Sequence, residues 1–186
     1  NKKVSVKSLE IIKVDGWNGG YINFQNPPSP NIPNNITALV YNGMCLIEGT
    51  NLSEGRGTEM PFMQFGAPWL DSKVLITELS KLKLLGVKFQ EVKFIPRFIP
   101  SKSQYPKYKD QVCNGVKINI VDREVASPLL IAVHIINIIS QNHPEDFKFI
   151  SNNFIDKLYG SDKLKNLINK GDDINQLFND WSKDEE

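Results

Sequence analysis

Alternating apolar and polar positions mark the strands of this sequence. The segment VKINIV at 116–121 alternates with a period of two, and VKFQEVKF at 87–94 has the composition of a strand. Further strands are predicted at 9–14 (LEIIKV), at 44–47, and within the aromatic-rich segment 61–70 (PFMQFGAPWL). Together these segments predict a sheet.

Apolar residues at helical spacing predict a helix over residues 74–85. One face of this helix would hold Leu75, Ile76, Leu79 and Leu82. Asp71 or Ser72 is expected to cap the first turn, and Gly86 is expected to end the helix.

A second helix is predicted at 129–141, because Ser127 is an N-cap residue and Pro128 suits the first helical position. The pair His143-Pro144 is expected to end this helix. A short helix is predicted at 37–41, with Gly43 as its left-handed stop.

The two ends of the chain differ in character. Four prolines at 26–34 predict an extended, ordered segment, because proline fixes φ and removes a backbone donor. The end of the chain predicts two or three short helices, with Ile174, Phe178 and Trp181 on one face of the last. The fold class is therefore α/β, with α+β possible: a mixed sheet with flanking helices and a helical C-terminal tail.

Composition narrows the class of protein. The 186 residues suit one domain, or one domain with a small satellite, and their 40% hydrophobic and 23% charged content is typical of a globular protein. The net charge of +1 favours neither nucleic acid nor an anionic membrane. The longest apolar run, at 128–139, is too short to span a bilayer. No secretory signal is expected in the first residues. Two cysteines and two histidines at scattered positions predict no metal site, and whether Cys45 and Cys113 pair stays open.

The loop EGTNLSEGRGT at 48–58 carries the main candidate chemistry. It is not a nucleotide-binding phosphate loop, because Gly49 and Gly55 are one residue too far apart and Arg56 stands in place of the lysine. An arginine between glycines can hold a carboxylate or phosphate through two parallel hydrogen bonds. A carboxylate-binding or sugar-binding loop is therefore one interpretation.

In that interpretation Glu48 and Glu54 accept hydrogen bonds from sugar hydroxyls, and Asn51 and Ser53 add neutral donors and acceptors. Two carboxylates also suit glycoside hydrolysis. The alternative is structural: an ion pair of Glu48 and Arg56 closes the loop, while Asn51 and Ser53 satisfy backbone groups.

Other residues are open to two interpretations. Trp69 either stacks on a sugar or packs in the core. His134 is predicted to be a hydrogen-bonded core residue and His143 a solvated helix end. The charged run 122–124 follows the best strand and is either a site or a charged turn. Two residues beside glycines suggest an exposed aromatic loop: Trp17 and Tyr21.

CLIEGTNLSEGRGT followed by PFMQFGAPWL closely resembles the signature of the NamZ-type exo-β-N-acetylmuramidases, which are peptidoglycan glycosidases. Other segments resemble that family in the same order: VDGW, SPNIPNNITALVYNGMCLIEGT, FIPRF, CNGVKINIVDRE, HPEDFKF and INQLFNDW. The resemblance covers nearly the whole chain.

The resemblance implies that residues 1–186 are the C-terminal α/β domain of a two-domain glycosidase with its active site in the cleft between domains. An N-terminal Rossmann-like domain of the same polypeptide would carry the main catalytic glutamates, so this chain alone is expected to be inactive. The partners implied are that domain and peptidoglycan-derived muropeptides, with no cofactor, nucleic acid or membrane span. The expected location is secreted, periplasmic or at the cell envelope.

The resemblance also gives the candidate residues roles. Arg56, alone or with Asn51, would bind the lactyl carboxylate of N-acetylmuramic acid, and Glu48 would bind hydroxyls, orient Arg56 or act as a catalytic residue. The candidate substrate-binding residues are Glu48, Asn51, Ser53, Glu54, Arg56 and Trp69. The alternative function is a non-catalytic cell-wall-binding or complex-assembly module.

Overall fold

The computed structural model describes residues 8–16 and 24–184. The described elements follow the chain in this order: helix α1 (Asn35–Met44), a 3₁₀ helix (Cys45–Gly49), strand β1 (Gln64–Ala67), helix α2 (Ser72–Lys81), strands β2 (Val87–Phe94) and β3 (Cys113–Ile120), and helices α3 (Pro128–Asn142), α4 (Phe154–Tyr159), α5 (Lys163–Lys170) and α6 (Asn175–Asp184). The predicted combination of a sheet with flanking helices and a helical tail is confirmed.

The three described strands form one sheet in the order β1-β3-β2. Both pairs are antiparallel, with Val116 of β3 opposite Phe65 on one side and Glu91 on the other. The antiparallel pairing makes this an α+β fold, the form that the sequence left possible, and no parallel pair of a mixed sheet occurs among these strands.

Helix α3 lies at the centre of the core, and its residues Ile131, Ile135 and Ile139 are buried. As predicted, Ser127 is its N-cap and Pro128 begins it, and the backbone N–H of His143 closes it on Ile139. Helix α1 crosses α3 at Gly43, where an added Cβ would lie 1.9 Å from the carbonyl oxygen of Pro128. Gly43 is therefore a contact point inside a longer helix, and its prediction as a left-handed stop was wrong.

Two predicted strands are absent. Residues 44–47 continue from α1 into the 3₁₀ helix, because their apolar side chains enter the core from a helical backbone. Residues 9–14 belong to no strand of the described chain, and Leu9, Ile11, Ile12 and Val14 are exposed.

Helix α2 begins as predicted, because the Asp71 carboxylate accepts from the N–H groups of Lys73 and Val74. It ends at Lys81, earlier than predicted, because Lys83 adopts a left-handed conformation. Leu82 is consequently 40% exposed. Gly86 instead occupies the turn before β2 with φ +70°.

The remaining terminal predictions have mixed outcomes. The proline-rich segment 26–34 is ordered and non-helical, and the Asn31 side chain donates to the carbonyl of Lys102. Trp17 and Tyr21 lie outside the described residues. Within the described parts of the chain, every helix is too short or too polar to traverse a lipid bilayer.

Candidate active site

The two glycines beside Arg56 are required by backbone geometry. Gly55 and Gly57 have φ values of +78° and +81°, which side-chain-bearing residues rarely adopt. An added Cβ on Gly55 would lie 2.5 Å from the carbonyl oxygen of Gln64, and one on Gly57 would lie 2.5 Å from that of Arg97. The sequence GRG therefore forms a tight bend in which both positions beside Arg56 require glycine.

The bend is attached to strand β1 through backbone hydrogen bonds. Ser53 and Gly66 exchange N–H···O bonds of 2.8 and 3.0 Å, and the N–H of Phe62 donates to the carbonyl of Glu54 at 2.7 Å. The Arg97 N–H also donates to the carbonyl of Gly57 at 2.8 Å. The loop is thus fixed between the sheet and the segment that follows β2.

Arg56 joins the two glutamates of the loop. Its Nη2 lies 2.9 Å from Glu48 Oε2, and its Nε lies 3.8 Å from Glu54 Oε1. The guanidinium also stands over the Phe62 ring, 5.2 Å from the centroid. The structural ion pair considered from the sequence is therefore present, yet the Arg56 side chain remains 36% exposed.

Lys107 connects this loop to a segment fifty residues away in sequence. Its ammonium donates to the carbonyls of Ile47, Glu48 and Leu52 at 3.3, 3.2 and 3.0 Å. The same nitrogen lies 3.2 Å from Glu54 Oε2, close enough for an ion pair. Lys107 therefore satisfies three backbone acceptors and places positive charge beside a buried carboxylate.

The loop and this second segment enclose a cavity of about 350 Å³. Its lining is charged and polar with an aromatic rim: Glu48, Glu54, Arg56, Lys102, Ser103, Gln104, Tyr105, Pro106, Lys107 and Phe154. Three of these side chains are cationic and two are carboxylic acids, which leaves an excess of one positive charge when all are ionised. This balance suits a ligand that carries one negative charge.

Two polar atoms at the cavity have unused hydrogen-bonding capacity. Among the described residues, Glu54 Oε2 and Arg56 Nε are buried without a hydrogen-bond partner. Lys107 Nζ pairs with Glu54 Oε2 by charge at 3.2 Å without the alignment of a hydrogen bond. A buried atom in this state is costly unless a ligand or water completes it.

The electrostatic state of Glu48 reflects its burial. Burial raises the pKa of the Glu48 carboxyl and Glu54 raises it further, whereas Arg56 and Lys107 act in the opposite direction. Burial, followed by the negative charge of Glu48, also raises the pKa of Tyr41, whose ring packs edge-on against Phe62. Burial thus favours the protonated form of the Glu48 carboxyl, and the ion pair with Arg56 opposes it.

Of the six candidate residues, the structure brings Glu48, Glu54 and Arg56 together at the cavity. The other three have structural contacts outside its lining. The Asn51 side chain donates to the carbonyl of Asp146 and accepts from the N–H of Lys148, and the Ser53 hydroxyl accepts from the N–H of Gly55.

Trp69 packs at a second place away from the cavity. Its indole N–H donates to the Tyr108 hydroxyl at 3.0 Å, and its ring lies 5.3 Å from that of His143. His143 Nε2 in turn accepts from the N–H of Asp71, so this histidine belongs to a packed contact instead of a solvated helix end.

The other candidates lie apart from the cavity. His134 is half-buried, its ring lies 5.0 Å from that of Phe178 at a tilt of 51°, and burial lowers its pKa. Residues 122–124 form an exposed turn. Cys45 and Cys113 are free thiols in the structure. Among the described residues, no cluster of His, Cys, Asp and Glu side chains could hold a metal ion.

Sequence reasoning missed the second wall of the cavity. Residues 102–107 read KSQYPK, a polar, proline-containing stretch in which no site residue was predicted. The available signal was the mixture of basic and aromatic residues around Tyr105 and Lys107 in that loop. No pattern in the sequence predicted that this segment would lie beside Glu48.

Comparisons with known proteins agree with the motifs. The model of the family described as exo-β-N-acetylmuramidase NamZ, C-terminal, matches residues 39–186. The peptidoglycan β-N-acetylmuramidase NamZ of Bacillus subtilis (strain 168) is 34% identical over 190 residues, which cover 98% of this chain and 44% of that protein. The chain therefore spans less than half the length of this relative.

Two crystal structures of DUF1343 family proteins from Bacteroides fragilis NCTC 9343 are similar in fold. One superposes with a TM-score of 0.65 at 26% identity, and the match covers 75% of this chain and 36% of the Bacteroides chain. The other has a TM-score of 0.62 at 28% identity, and the match covers 88% of this chain and 41% of the second Bacteroides chain.

Proposed function

Because this chain belongs to the family of exo-β-N-acetylmuramidase NamZ C-terminal domains, we propose that it forms one wall of a glycoside hydrolase active site. The enzyme would release N-acetylmuramic acid from the non-reducing ends of peptidoglycan fragments. The observation that carries the proposal is the cavity at which Glu48, Glu54 and Arg56 of the matched region meet.

The charge of the cavity supports a carboxylate ligand. N-acetylmuramic acid differs from N-acetylglucosamine by a lactyl group that carries a carboxylate. The cavity has one more cationic than acidic side chain, and its volume lies in the range of small-molecule sites. An exposed guanidinium at such a site is the natural partner for a planar carboxylate.

Arg56 is the residue that binds this carboxylate in the proposal. Its one short contact in the described chain is with Glu48 Oε2, so other N–H groups of its five remain for a ligand. Glu48 and Glu54 orient the guanidinium from the protein side. Glu54 Oε2 pairs with Lys107 by charge but accepts no hydrogen bond within the described residues, and in the proposal it accepts one from a sugar hydroxyl.

The chemistry would be general acid and base hydrolysis of the glycosidic bond. Glu48, with its raised pKa, is the candidate catalytic acid within this chain. The remaining catalytic carboxylate would come from a preceding Rossmann-like domain of the same polypeptide, and the enzyme would act outside the cytoplasm or at the cell envelope, where peptidoglycan is.

The test uses the full-length gene product that contains this chain. Release of N-acetylmuramic acid is measured from a muramyl glycoside and, in parallel, release of N-acetylglucosamine from the matched glycoside without the lactyl group. Arg56→Lys keeps the charge but loses the two-pronged geometry, so kcat/KM for the muramyl substrate should fall about tenfold or more. The ratio of kcat/KM for the muramyl substrate to kcat/KM for the substrate without the lactyl group should fall with it.

Arg97→Lys is the matched control, because the Arg97 side chain is 65% exposed and pairs only loosely with Asp110 at 3.7 Å. It should leave both activities unchanged. A wild-type protein that releases no N-acetylmuramic acid would overturn the enzymatic proposal, and retained muropeptide binding would then favour the cell-wall-binding module. If Arg56→Lys leaves the ratio of the two kcat/KM values unchanged, the proposed contact between Arg56 and the lactyl carboxylate is refuted.

A further inference from the structure

Tyr105 is the most exposed hydrophobic side chain at the cavity. It is 92% exposed, yet it lines the same space as Glu48 and Arg56. A tyrosine ring in this state adds little to the core, so its position is not explained by packing within the chain.

The backbone that carries Tyr105 is held on both sides. On the N-terminal side, Ile99 and Ser103 exchange backbone hydrogen bonds of 2.8 and 2.9 Å, and the carbonyl of Lys102 accepts from Asn31. On the C-terminal side, the buried Pro106 is followed by Lys107 with its three carbonyl contacts. Because the backbone here is already fixed, binding through the exposed ring costs side-chain entropy but little backbone entropy.

We infer that Tyr105 is a stacking platform for the sugar ring of the ligand, which is a specificity role that deepens the proposed function and rests on it. A pyranose ring has an apolar C–H face and a rim of polar substituents. The Tyr105 ring would cover the apolar face, while Arg56, Glu48 and Glu54 would meet the substituents. Recognition of the sugar thus divides between an aromatic surface and a charged wall.

The inference predicts an effect on binding with little effect on folding. Tyr105→Ala removes the ring and should raise KM for the muramyl glycoside, and Kd for free N-acetylmuramic acid, about tenfold. Its kcat should change much less, because the charged groups that act on the bond remain. Tyr105→Phe keeps the ring and should stay within about twofold of wild type.

Phe98→Ala is the control, because Phe98 is another exposed aromatic residue of the same segment and does not line the cavity. It should leave KM unchanged. If the wild-type enzyme is active and Tyr105→Ala has the same KM and Kd as wild type, the stacking role is refuted and the proposed function is not. Loss in Tyr105→Phe equal to that in Tyr105→Ala would overturn it too, since the hydroxyl would then carry the contact.

Failure of the proposed function gives a different result. In that case the wild-type protein neither releases nor binds N-acetylmuramic acid, and the stacking role falls with it. Thermal unfolding of each variant completes the test. A Tyr105→Ala variant with wild-type Tm and a raised Kd supports a ligand contact. A Tm so low that the variant is partly unfolded under the binding conditions, and binds weakly for that reason, refutes the contact.

Discussion

Replacing Lys107 with methionine should destabilise the loop that carries Arg56. Methionine keeps most of the length of the side chain but cannot donate to the carbonyls of Ile47, Glu48 and Leu52. It also removes the cation that lies 3.2 Å from the buried Glu54 carboxylate.

The magnitude follows from what the ammonium leaves behind. Hydrogen bonds from a charged donor contribute about 1.5–3 kcal/mol each, but these three share one group and do not add. Removing one partner of a buried ion pair costs about 3–5 kcal/mol. Because the Lys107 side chain is 28% exposed, water replaces part of the loss, and we expect a decrease of about 3 kcal/mol in the free energy of unfolding.

Urea unfolding of the 186-residue chain, followed by far-ultraviolet circular dichroism, measures this change. With a denaturant slope of about 2 kcal/mol per molar, the midpoint should fall by about 1.5 M. Lys109→Met is the control, because Lys109 is 49% exposed and lies 3.9 Å from Asp110. Equal midpoints for Lys107→Met and Lys109→Met would refute the reasoning.

Two further predictions concern the helix crossing and the acid of the site. Gly43→Ala places a Cβ 1.9 Å from the Pro128 carbonyl oxygen, so α1 and α3 must separate, and Tm should fall by about 5–10 °C. Asn42→Ala on the exposed side of α1 should leave Tm unchanged, and equal effects of the two substitutions would contradict the contact. Burial raises the pKa of Glu48 above its ordinary value of 4.5, so protonation of this carboxyl favours folding; the contribution is fully present below pH 4.5 and is lost as pH rises through the folded pKa. The difference in unfolding free energy between wild type and Glu48→Gln should therefore shrink from pH 4 to pH 7.5 in chemical denaturation. A difference that grows with pH would contradict the raised pKa.

Local patterns predicted the elements whose signals are strong. Strand β2 has the bounds that its composition indicated, and α3 begins at the predicted Ser-Pro pair. The apolar run 44–47 was ambiguous, because a buried strand and a buried helical turn have the same composition over four residues. Gly43 looked like a stop because glycine often ends helices, and only the crossing of α1 with α3 explains its place inside one.

The candidate site was predictable in part for the same reason. Glu48, Glu54 and Arg56 lie within nine residues, so their meeting needs only a tight bend, which the flanking glycines indicated. Tyr105 and Lys107 reach the cavity through tertiary contacts across about fifty residues of chain. Such a pairing leaves no periodic signal in a single sequence.

A graft of residues 48–58 onto another protein scaffold would carry over only half of this cavity. The bend at Gly57 is held by the backbone of Arg97, and the carbonyls on either side of Thr50 are held by Lys107. The arginine would consequently lose its fixed direction in the recipient. The smallest transferable unit of the recognition surface is therefore the pair of segments 47–66 and 96–110, moved together with the strands that space them.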